Sequence, residues 1–292
     1  MNQTESRRSV LNYTSTGKEY YSYEEDSGNS SNCSIESLIS TASLRAPNDH
    51  HLLSDHRNLT SLLFLEDLYR IQSDYFSHIQ TEIKPWMRKM LANWMLEVCR
   101  NQNQEADVFI TAMNILDRFL SLQAVSKRHL QLLGTTCMFI AAKLRSSSQL
   151  NAHTLVIYTA NSISIEQLLD WEQMVLAKLK WDINSITACD YVPILLSRLN
   201  IIEHKNIKSI RSYIDTLVAM CSTDFKFSMV STSVIATGCL YLAIKYLNNL
   251  DEDQCEQILA ELTSASNCVI DTEILVQCIE QIEEVVQSEV KN

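Results

Sequence analysis

The stretch CMFIAAKL, residues 137–144, is repeated in outline by CLYLAIKY at residues 239–246. The two stretches align without a gap and carry the same residue type at three positions: Cys137 and Cys239, Ala141 and Ala243, Lys143 and Lys245. Each is typical of a buried helix that ends in a lysine, although an unpaired ammonium group is costly to remove from water. An apolar helix repeated 102 residues along the chain predicts two copies of one helical domain.

Residues that interrupt helices are scarce, since the 292-residue chain has only four glycines and three prolines and is 46% apolar. The fold class is therefore predicted to be all-α, with an amphipathic lead-in helix at 62–79. Two sets of five helices follow: 85–99, 105–121, 127–145, 151–159 and 164–181, then 188–199, 205–222, 228–247, 252–262 and 271–289. The repeated stretch is the third helix of each set.

Local signals place two of the helix starts. Ser164 and Gln167 have the spacing of a capping box before the fifth helix of the first set. The first helix of the second set has two possible starts. If Thr187 caps it, Pro193 lies in its interior and should kink it, whereas a start at Asp190 removes that conflict.

The net charge of −11 is concentrated at the end of the chain. Residues 251–292 contain eleven acidic side chains against Lys291 alone. Nucleic-acid binding needs a basic footprint, so this charge distribution argues against it. A solvated helix face is the ordinary explanation of such acids, and an interaction surface is the alternative.

Nothing in the sequence predicts catalysis, a cofactor or a metal site. There is no phosphate-binding glycine loop, no HExxH motif and no nucleophile with a base and an orienting group. The nine cysteines form no CxxC pair and lie mostly in apolar runs, as buried thiols in a reducing compartment do. His50, His51 and His56 lie beside Asp55, but nothing else there would hold a metal.

Residues 1–58 are rich in serine and asparagine and are predicted to be a disordered tail. The N-terminus lacks the apolar stretch of a signal peptide, and no run approaches 18 apolar residues. We therefore expect a protein of the nucleus and cytoplasm that does not interact with a membrane. Arg7 and Arg8 are too few for a nuclear-import cluster, so nuclear entry is expected to depend on a partner.

Several long stretches, in this order along the chain, resemble the cyclins and most closely the D-type (G1) cyclins. They are MRKMLANWMLEVC (87–99), AMNILDRFLSL (112–122), LQLLGTTCMFIAAKL (130–144), LLDWEQMVLAKLKW (168–181), STDFKF (222–227) and CIEQIEEVV (278–286). The resemblance implies two tandem five-helix cyclin boxes, at 59–184 with the lead-in helix and at 185–292. This agrees with the internal repeat.

The resemblance also implies a role for Lys143, the lysine of CMFIAAKL (137–144). In cyclins, a lysine that ends the third helix and a glutamate in the fifth contact the kinase beside its regulatory helix, and the matching residues here are Lys143 and Glu172. Leu144, Arg145 and Trp181 are expected on the same kinase-facing surface, and so is the lead-in helix before the first box. Lys245 is expected only to extend its ammonium group to water. Cyclins commonly have an acid three residues after the lysine, where this chain has Ser146.

A second implied site is the substrate-docking patch of the cyclins, a shallow groove for Arg-x-Leu peptides. The matching stripe on the first box helix has spacing i, i+3, i+4 and i+7, and a glutamate and a glutamine complete the patch: Met87, Met90, Leu91, Trp94, Glu97 and Gln131. A plain core face is the alternative interpretation of the stripe. A third implied feature is a structural ion pair between Arg88 and Asp117.

Two D-type features are missing from this sequence. The N-terminus has no Leu-x-Cys-x-Glu segment for retinoblastoma-type pocket proteins. The three prolines follow Ala46, Lys84 and Val192, so the chain has no Ser-Pro or Thr-Pro site and lacks the Thr-Pro destruction signal. The resemblance is therefore to a divergent D-type cyclin.

By this resemblance the chain is expected to be the activating regulatory subunit of a G1 cyclin-dependent kinase, four or six, and to promote the G1/S transition. It would position the kinase regulatory helix and dock substrates or inhibitors that contain Arg-x-Leu. One alternative is a cyclin that sequesters the kinase without activating it. The other is a transcription factor with cyclin-like repeats, against which the acidic charge argues.

Overall fold

Thirteen α-helices form the part of the chain that the structure, a computed structural model, describes: residues 49–71, 73–148, 150–199, 207–248, 250–265 and 270–290. The predicted tail lies outside these residues up to position 48. The helices are α1 His50–Ser54, α2 His56–Tyr69, α3 Tyr75–His78, α4 Pro85–Asn101, α5 Ala106–Leu120, α6 Leu130–Arg145, α7 Ala152–Tyr158, α8 Ile165–Lys178, α9 Ala188–Arg198, α10 Ile207–Thr223, α11 Thr232–Asn248, α12 Glu252–Ala265 and α13 Thr272–Val290.

The all-α prediction is confirmed, and so are the two sets of five helices. Helices α4–α8 form the first box and α9–α13 the second. Short 3₁₀ turns at Lys127–His129 and Phe225–Met229 precede α6 and α11. The first lies where the sequence pattern predicted the start of a helix at 127, and the second begins in the predicted connection before 228. No strand occurs among the residues that the structure describes.

The two repeated stretches, 137–144 and 239–246, lie in central helices of their boxes, α6 and α11. The six residues before Lys143 are all buried, and five of the six before Lys245 are buried. Around them, α6 packs against α4, α5 and α8, while α11 packs against α9, α10 and α13. The repeat in the sequence therefore marks the third helix, and a core helix, of each box.

The lead-in segment differs from the single helix predicted at 62–79. Helix α2 begins at His56 because the carboxylate of Asp55 accepts a hydrogen bond from the backbone N–H of Arg57 at 2.9 Å. It ends at Tyr69, and Asp74 caps the separate short helix α3. Residues 49–58, predicted to belong to the disordered tail, contain α1 and the start of α2.

The start of the second box is also settled. The carboxylate of Asp190 accepts hydrogen bonds from the backbone N–H and the hydroxyl of Thr187, at 2.8 and 3.0 Å, so Thr187 is the N-cap of α9. Pro193 therefore lies inside this helix. The capping box of Ser164 and Gln167 is present at α8 as predicted.

Two features are absent from the part of the chain that the structure describes. None of its helices is long and apolar enough to cross a bilayer. It contains no group of three or more histidine, cysteine or acidic side chains that could hold a metal ion.

Candidate functional site

Lys143, at the end of the third helix of the first box, forms an ion pair with Glu172 of the fifth helix. Lys143 Nζ, in the last turn of α6, lies 2.6 Å from Oε1 of Glu172 on α8. It also lies 3.8 Å from the centroid of the Phe139 ring one turn earlier, within cation–π range. The lysine side chain is 51% exposed and the glutamate side chain 13%. A partner can thus reach the ammonium group, while a mostly buried carboxylate holds it in place.

Lys245, in the second box, has an ion pair at the equivalent junction of third and fifth helices. Its Nζ lies 2.9 Å from Oε1 of Glu283 on α13, which also accepts a hydrogen bond from the hydroxyl of Tyr246. The hydrogen bond to Glu283 raises the pKa of Lys245 above its usual value. The prediction that this lysine only extends to water is wrong, because Glu283 is within reach.

Two of the expected kinase-binding residues are exposed apolar side chains. Leu144 follows the lysine at the end of α6, and Trp181, just beyond α8, is 71% exposed. Lys180 and Trp181 both have left-handed backbone, with φ of 55° and 63°, while the N–H of Trp181 donates to the carbonyl of Leu176. A bulky residue seldom adopts that conformation. The end of α8 therefore holds a tryptophan in water at a cost in backbone strain of about 1–3 kcal/mol.

Arg145 makes structural contacts within the chain. Its Nη1 lies 3.1 Å from Oδ1 of Asp190, and its Nη2 donates to the carbonyl oxygen of Ser185 at 3.2 Å. Asp190 is the same carboxylate that caps α9. The guanidinium group thus connects the end of α6 to the start of the second box, and its predicted kinase contact stays a prediction. The neighbouring Ser146 donates its hydroxyl hydrogen to the carbonyl oxygen of Ser148.

The expected docking patch divides into exposed and buried residues along α4. Met90 is 63% exposed, whereas Leu91 is buried against Gly134 of α6. A Cβ atom at Gly134 would lie 2.8 Å from Leu91 Cδ1, so α4 and α6 approach closely there. Met87 and Trp94 are half-buried against the core. Leu91 therefore belongs to the core, and the side chains accessible to a peptide are those around it.

The two polar members of the docking patch flank this stripe in the chain. Glu97 is exposed on α4, and Gln131 is half-buried at the start of α6. The backbone carbonyl of Gln131 accepts a hydrogen bond from the hydroxyl of Thr135. The docking role of all six residues stays a prediction.

Arg88 and Asp117 form the expected pair, and both side chains are buried. Arg88 Nε and Nη2 lie 2.7 and 2.6 Å from the two carboxylate oxygens of Asp117. The hydroxyl of Tyr75 donates to Oδ1 of Asp117, and Arg88 Nη1 donates to the carbonyl oxygen of Thr223 in the second box. Burial alone would lower the pKa of Arg88, but Asp117 raises it above its usual value. One guanidinium group thus joins α4, α5 and the end of α10.

Glu66 of the lead-in helix is a buried acid that the sequence reasoning missed. Its carboxylate accepts hydrogen bonds from the hydroxyls of Tyr191 and Thr232 and from both the N–H and the hydroxyl of Ser233, at 2.7–2.9 Å. Thr232 and Ser233 begin α11, so the carboxylate lies at the positive end of that helix. The lead-in helix is therefore fixed to the second box.

The end of the lead-in helix is fixed to the first box as well. The hydroxyl of Tyr69 donates to Oδ1 of Asp182 at 2.8 Å, just after Trp181. Arg118 of α5 donates to the carbonyl oxygen of Asp182 and lies 4.9 Å from the centroid of the Tyr69 ring. These contacts position the lead-in helix beside the exposed tryptophan at the end of α8.

The comparisons with known proteins agree with this two-box helical fold. Residues 58–184 match the cyclin N-terminal domain and residues 186–292 the cyclin C-terminal domain. The chain belongs to the cyclin family. The D-type resemblance is confirmed by relatives such as G1/S-specific cyclin-D2 of Gallus gallus, 44% identical over 253 residues and 85% of both chains. G1/S-specific cyclin-D3 of Homo sapiens is 43% identical over 241 residues, which cover 82% of this chain and 80% of that protein.

A solved structure shares the fold. A viral cyclin from herpesvirus saimiri has a TM-score of 0.69 at 22% identity, covering 78% of this chain and 96% of that one. At this identity the likeness concerns the fold alone.

Proposed function

We propose that this chain is the regulatory subunit of a cyclin-dependent kinase and that it activates the kinase it binds. The observation that carries the proposal is the pair of Lys143 and Glu172, in a chain that belongs to the cyclin family. The half-exposed ammonium group lies over a carboxylate that is itself mostly buried. A partner that covers the pair can accept from the lysine and donate to the glutamate, so that neither charge is buried alone.

Apolar area beside the pair supports the same proposal. Leu144 and Trp181 are exposed, and leaving large apolar groups in water costs free energy that a partner surface recovers. Tryptophan is among the residues enriched at the energetic centres of interfaces. The hydrogen bond of Tyr69 to Asp182 places the lead-in helix next to this surface, so the helix extends it.

The proposed contribution of this subunit is positioning. By holding the kinase regulatory helix, it would let the helix glutamate pair with the lysine at the ATP site, and it would help to open the activation loop. The kinase holds ATP and magnesium, and the phosphoryl transfer is the kinase's reaction. The chain itself is proposed to be a regulatory subunit and not an enzyme.

The kinase, the substrates and the compartment are also proposals. Because relatives of this chain are named G1/S-specific cyclins, we propose cyclin-dependent kinases four and six as partners and the G1/S transition as the process. Substrates or inhibitors with Arg-x-Leu would dock at Met87, Met90 and Trp94, with Glu97 and Gln131 beside them. Such a complex would act in the nucleus, which the chain would enter from the cytoplasm with its partner.

The second box supplies a matched control for the test. Lys143→Glu and Lys245→Glu each place a second carboxylate against the glutamate of an existing ion pair, Glu172 or Glu283. Each variant is co-purified with kinase four and with kinase six, and the complex is assayed on a retinoblastoma C-terminal fragment. Helicity by circular dichroism confirms that both variants remain folded. We expect Lys143→Glu to abolish binding and activation, and Lys245→Glu to keep both.

Either of two results would contradict this proposal. If folded Lys143→Glu binds as well as wild type, the pair is not the kinase contact. If two folded variants lose binding equally, binding does not depend on the pair of Lys143 and Glu172 in particular. Glu172→Ala and Glu283→Ala repeat the comparison without introducing a like-charge pair.

One observation favours a second candidate, a subunit that binds the kinase without activating it. Ser146 stands where cyclins commonly have an acid, and its hydroxyl is bonded within the turn that follows α6. A contact made by that acid would be missing from the complex. The same assay separates the candidates, because a sequestering subunit would co-purify with the kinase while phosphorylation of the fragment stays at the level of free kinase.

A further inference from the structure

A groove of about 850 Å³ lies between the lead-in helix and the second box. Helix α2 forms one wall, and the segment before α11 and the start of α13 form the other. The lining is largely apolar: Leu63, Phe64, Met229, Val234, Ile270 and Ile274. None of its lining residues is among those named for the kinase contact or the docking patch, although α2 also contributes Tyr69 to the proposed kinase surface. The groove is therefore a surface in addition to the two that the proposed function names.

Large apolar side chains at this groove are open to water. Phe64 is 70% exposed and Ile274 50%, and Met229, which also lines the groove, is exposed as well. They come from three segments that are distant in the sequence, so the fold brings them to one place. An apolar patch that stays exposed beside polar residues is typical of an interaction site.

The charged residues of the groove are mostly acidic. Asp67 and Asp271 are exposed at its edge, and Glu66 is buried and already accepts hydrogen bonds from four donors. The basic residue in the lining is Arg70, whose Nη1 donates to the hydroxyl of Ser231 at 3.2 Å. The carboxylate of Asp271 accepts a hydrogen bond from the backbone N–H of Glu273, in the first turn of α13, at 2.8 Å. Two carboxylates beside an apolar groove complement a ligand with apolar anchors and basic flanks.

We propose that this groove binds an amphipathic helix of a partner protein. The apolar stripe of that helix would lie against Phe64, Met229 and Ile274, and its lysine or arginine residues would face Asp67 and Asp271. A helix suits the site because helices form both walls and the described residues offer no strand edge for an extended peptide. The groove volume of about 850 Å³ lies within the range of protein ligand pockets, roughly 300–1,000 Å³.

The test uses the full chain and two fluorescein-labelled peptides of about 18 residues. One peptide has leucine at helical spacing i, i+3, i+4 and i+7 with lysine elsewhere, and the other has glutamate in place of each lysine. Fluorescence polarisation measures their affinities. We expect the basic peptide to bind at least tenfold more tightly than the acidic one. The double variant Phe64→Ser, Ile274→Ser should weaken the basic peptide at least tenfold.

A matched control removes equally exposed apolar groups elsewhere. Leu122 and Ile157 are each 56% exposed and lie outside the groove, so Leu122→Ser, Ile157→Ser should leave the affinity of the basic peptide unchanged. The charge contacts have a test of their own that leaves the apolar lining intact. Asp67→Lys, Asp271→Asn should remove the preference for the basic peptide, and asparagine at position 271 keeps an acceptor for the N–H of Glu273. Glu82→Lys, Asp170→Asn, at exposed carboxylates outside the groove, should keep the preference.

Several outcomes would overturn the proposal. Equal loss of affinity in the groove variant and its control would show that the peptide binds exposed apolar groups in general. A preference for the basic peptide that survives Asp67→Lys, Asp271→Asn would remove the charge argument, and this comparison decides even if the double serine variant fails to fold. If light scattering shows a dimer that Phe64→Ser abolishes, the occupant is a second copy of this chain. If a bound kinase displaces the peptide, the groove belongs to the kinase interface.

Discussion

Glu66 accepts hydrogen bonds from both the backbone N–H and the side-chain hydroxyl of Ser233, at 2.8 and 2.7 Å. Ser233 lies in the first turn of α11, whose free N–H groups carry partial positive charge. Glu66 lies on the lead-in helix, 167 residues earlier in the chain. The orientation of that helix on the second box therefore depends on one buried carboxylate.

Glu66→Gln should loosen the lead-in helix. The amide makes neutral hydrogen bonds, which are about half as strong as those to a carboxylate, so the four contacts together should weaken by about 1–3 kcal/mol. Urea denaturation should show that loss, and hydrogen exchange should speed up in α2 more than in α5. The control is Asp67→Asn, which changes an exposed carboxylate on the same helix. Equal stability of the two variants would show that the carboxylate does not fix the helix.

Arg88→Ala and Asp117→Ala should each destabilise the chain by about 3–5 kcal/mol, because either change leaves one buried charge without its partner. The midpoint of urea denaturation measures the loss. Arg57→Ala removes an ion pair on an exposed surface, with Asp55, and should leave the midpoint near that of wild type. A small effect of Arg88→Ala would mean that water replaces Arg88 as the partner of the buried Asp117. Loss of kinase binding in these variants would report misfolding and not a lost contact.

The sequence predicted what depends on periodicity and local spacing. The ten box helices, the capping box of Ser164 and the central place of the repeated stretch follow from neighbours along the chain. The pairing of Arg88 with Asp117 came from the resemblance to cyclins, and the structure contains it. The contacts of Arg88 with the second box were not predicted, since its partners lie about 135 residues away.

Isolated polar residues in helices were the main failures, for a physical reason. Glu66, in LLFLED, looks like the solvated acid of an amphipathic helix until α9 and α11 bring four donors to it. The partner of Lys245 could not be predicted either, because the contact with Glu283 depends on how α13 packs beside α11. Leu91 has the same spacing whether the stripe on α4 faces a groove or the core, and only the close approach of Gly134 decides it.

The division of the α4 stripe predicts opposite outcomes at adjacent residues. Leu91→Ala should cost about 2–5 kcal/mol of folding stability by opening a cavity against α6. Met90→Ala, at an exposed position, should leave the unfolding midpoint unchanged and weaken an Arg-x-Leu peptide in a polarisation assay. If Met90→Ala does not change peptide affinity, the docking groove does not include this residue. If Leu91→Ala is fully stable, α4 and α6 close the cavity by moving together.

The buried thiols predict that stability falls in mildly alkaline solution. Burial raises the pKa of Cys99 and Cys278 to about 12, and it holds the pKa values of Cys137, Cys189 and Cys239 well above the usual value. In the unfolded chain the pKa of a cysteine thiol is about 8.5. Between those pH values the unfolded chain binds fewer protons than the folded chain. The free energy of unfolding therefore falls as pH rises, by about 1.4 kcal/mol per pH unit for each thiol.

Urea denaturation at pH 7.5, 8.5 and 9.5, with a reducing agent present, should show this decline beginning above about pH 8.5. Cys99→Ala should lower stability at pH 7.5 by leaving a small cavity, and it should also make the decline with pH less steep. Val98→Ala is the matched control, since it truncates the adjacent buried residue and removes no thiol. Val98→Ala should lower the free energy of unfolding by the same amount at each of the three pH values. Parallel pH profiles for the two variants would show that Cys99 ionises as readily in the folded chain as in the unfolded one.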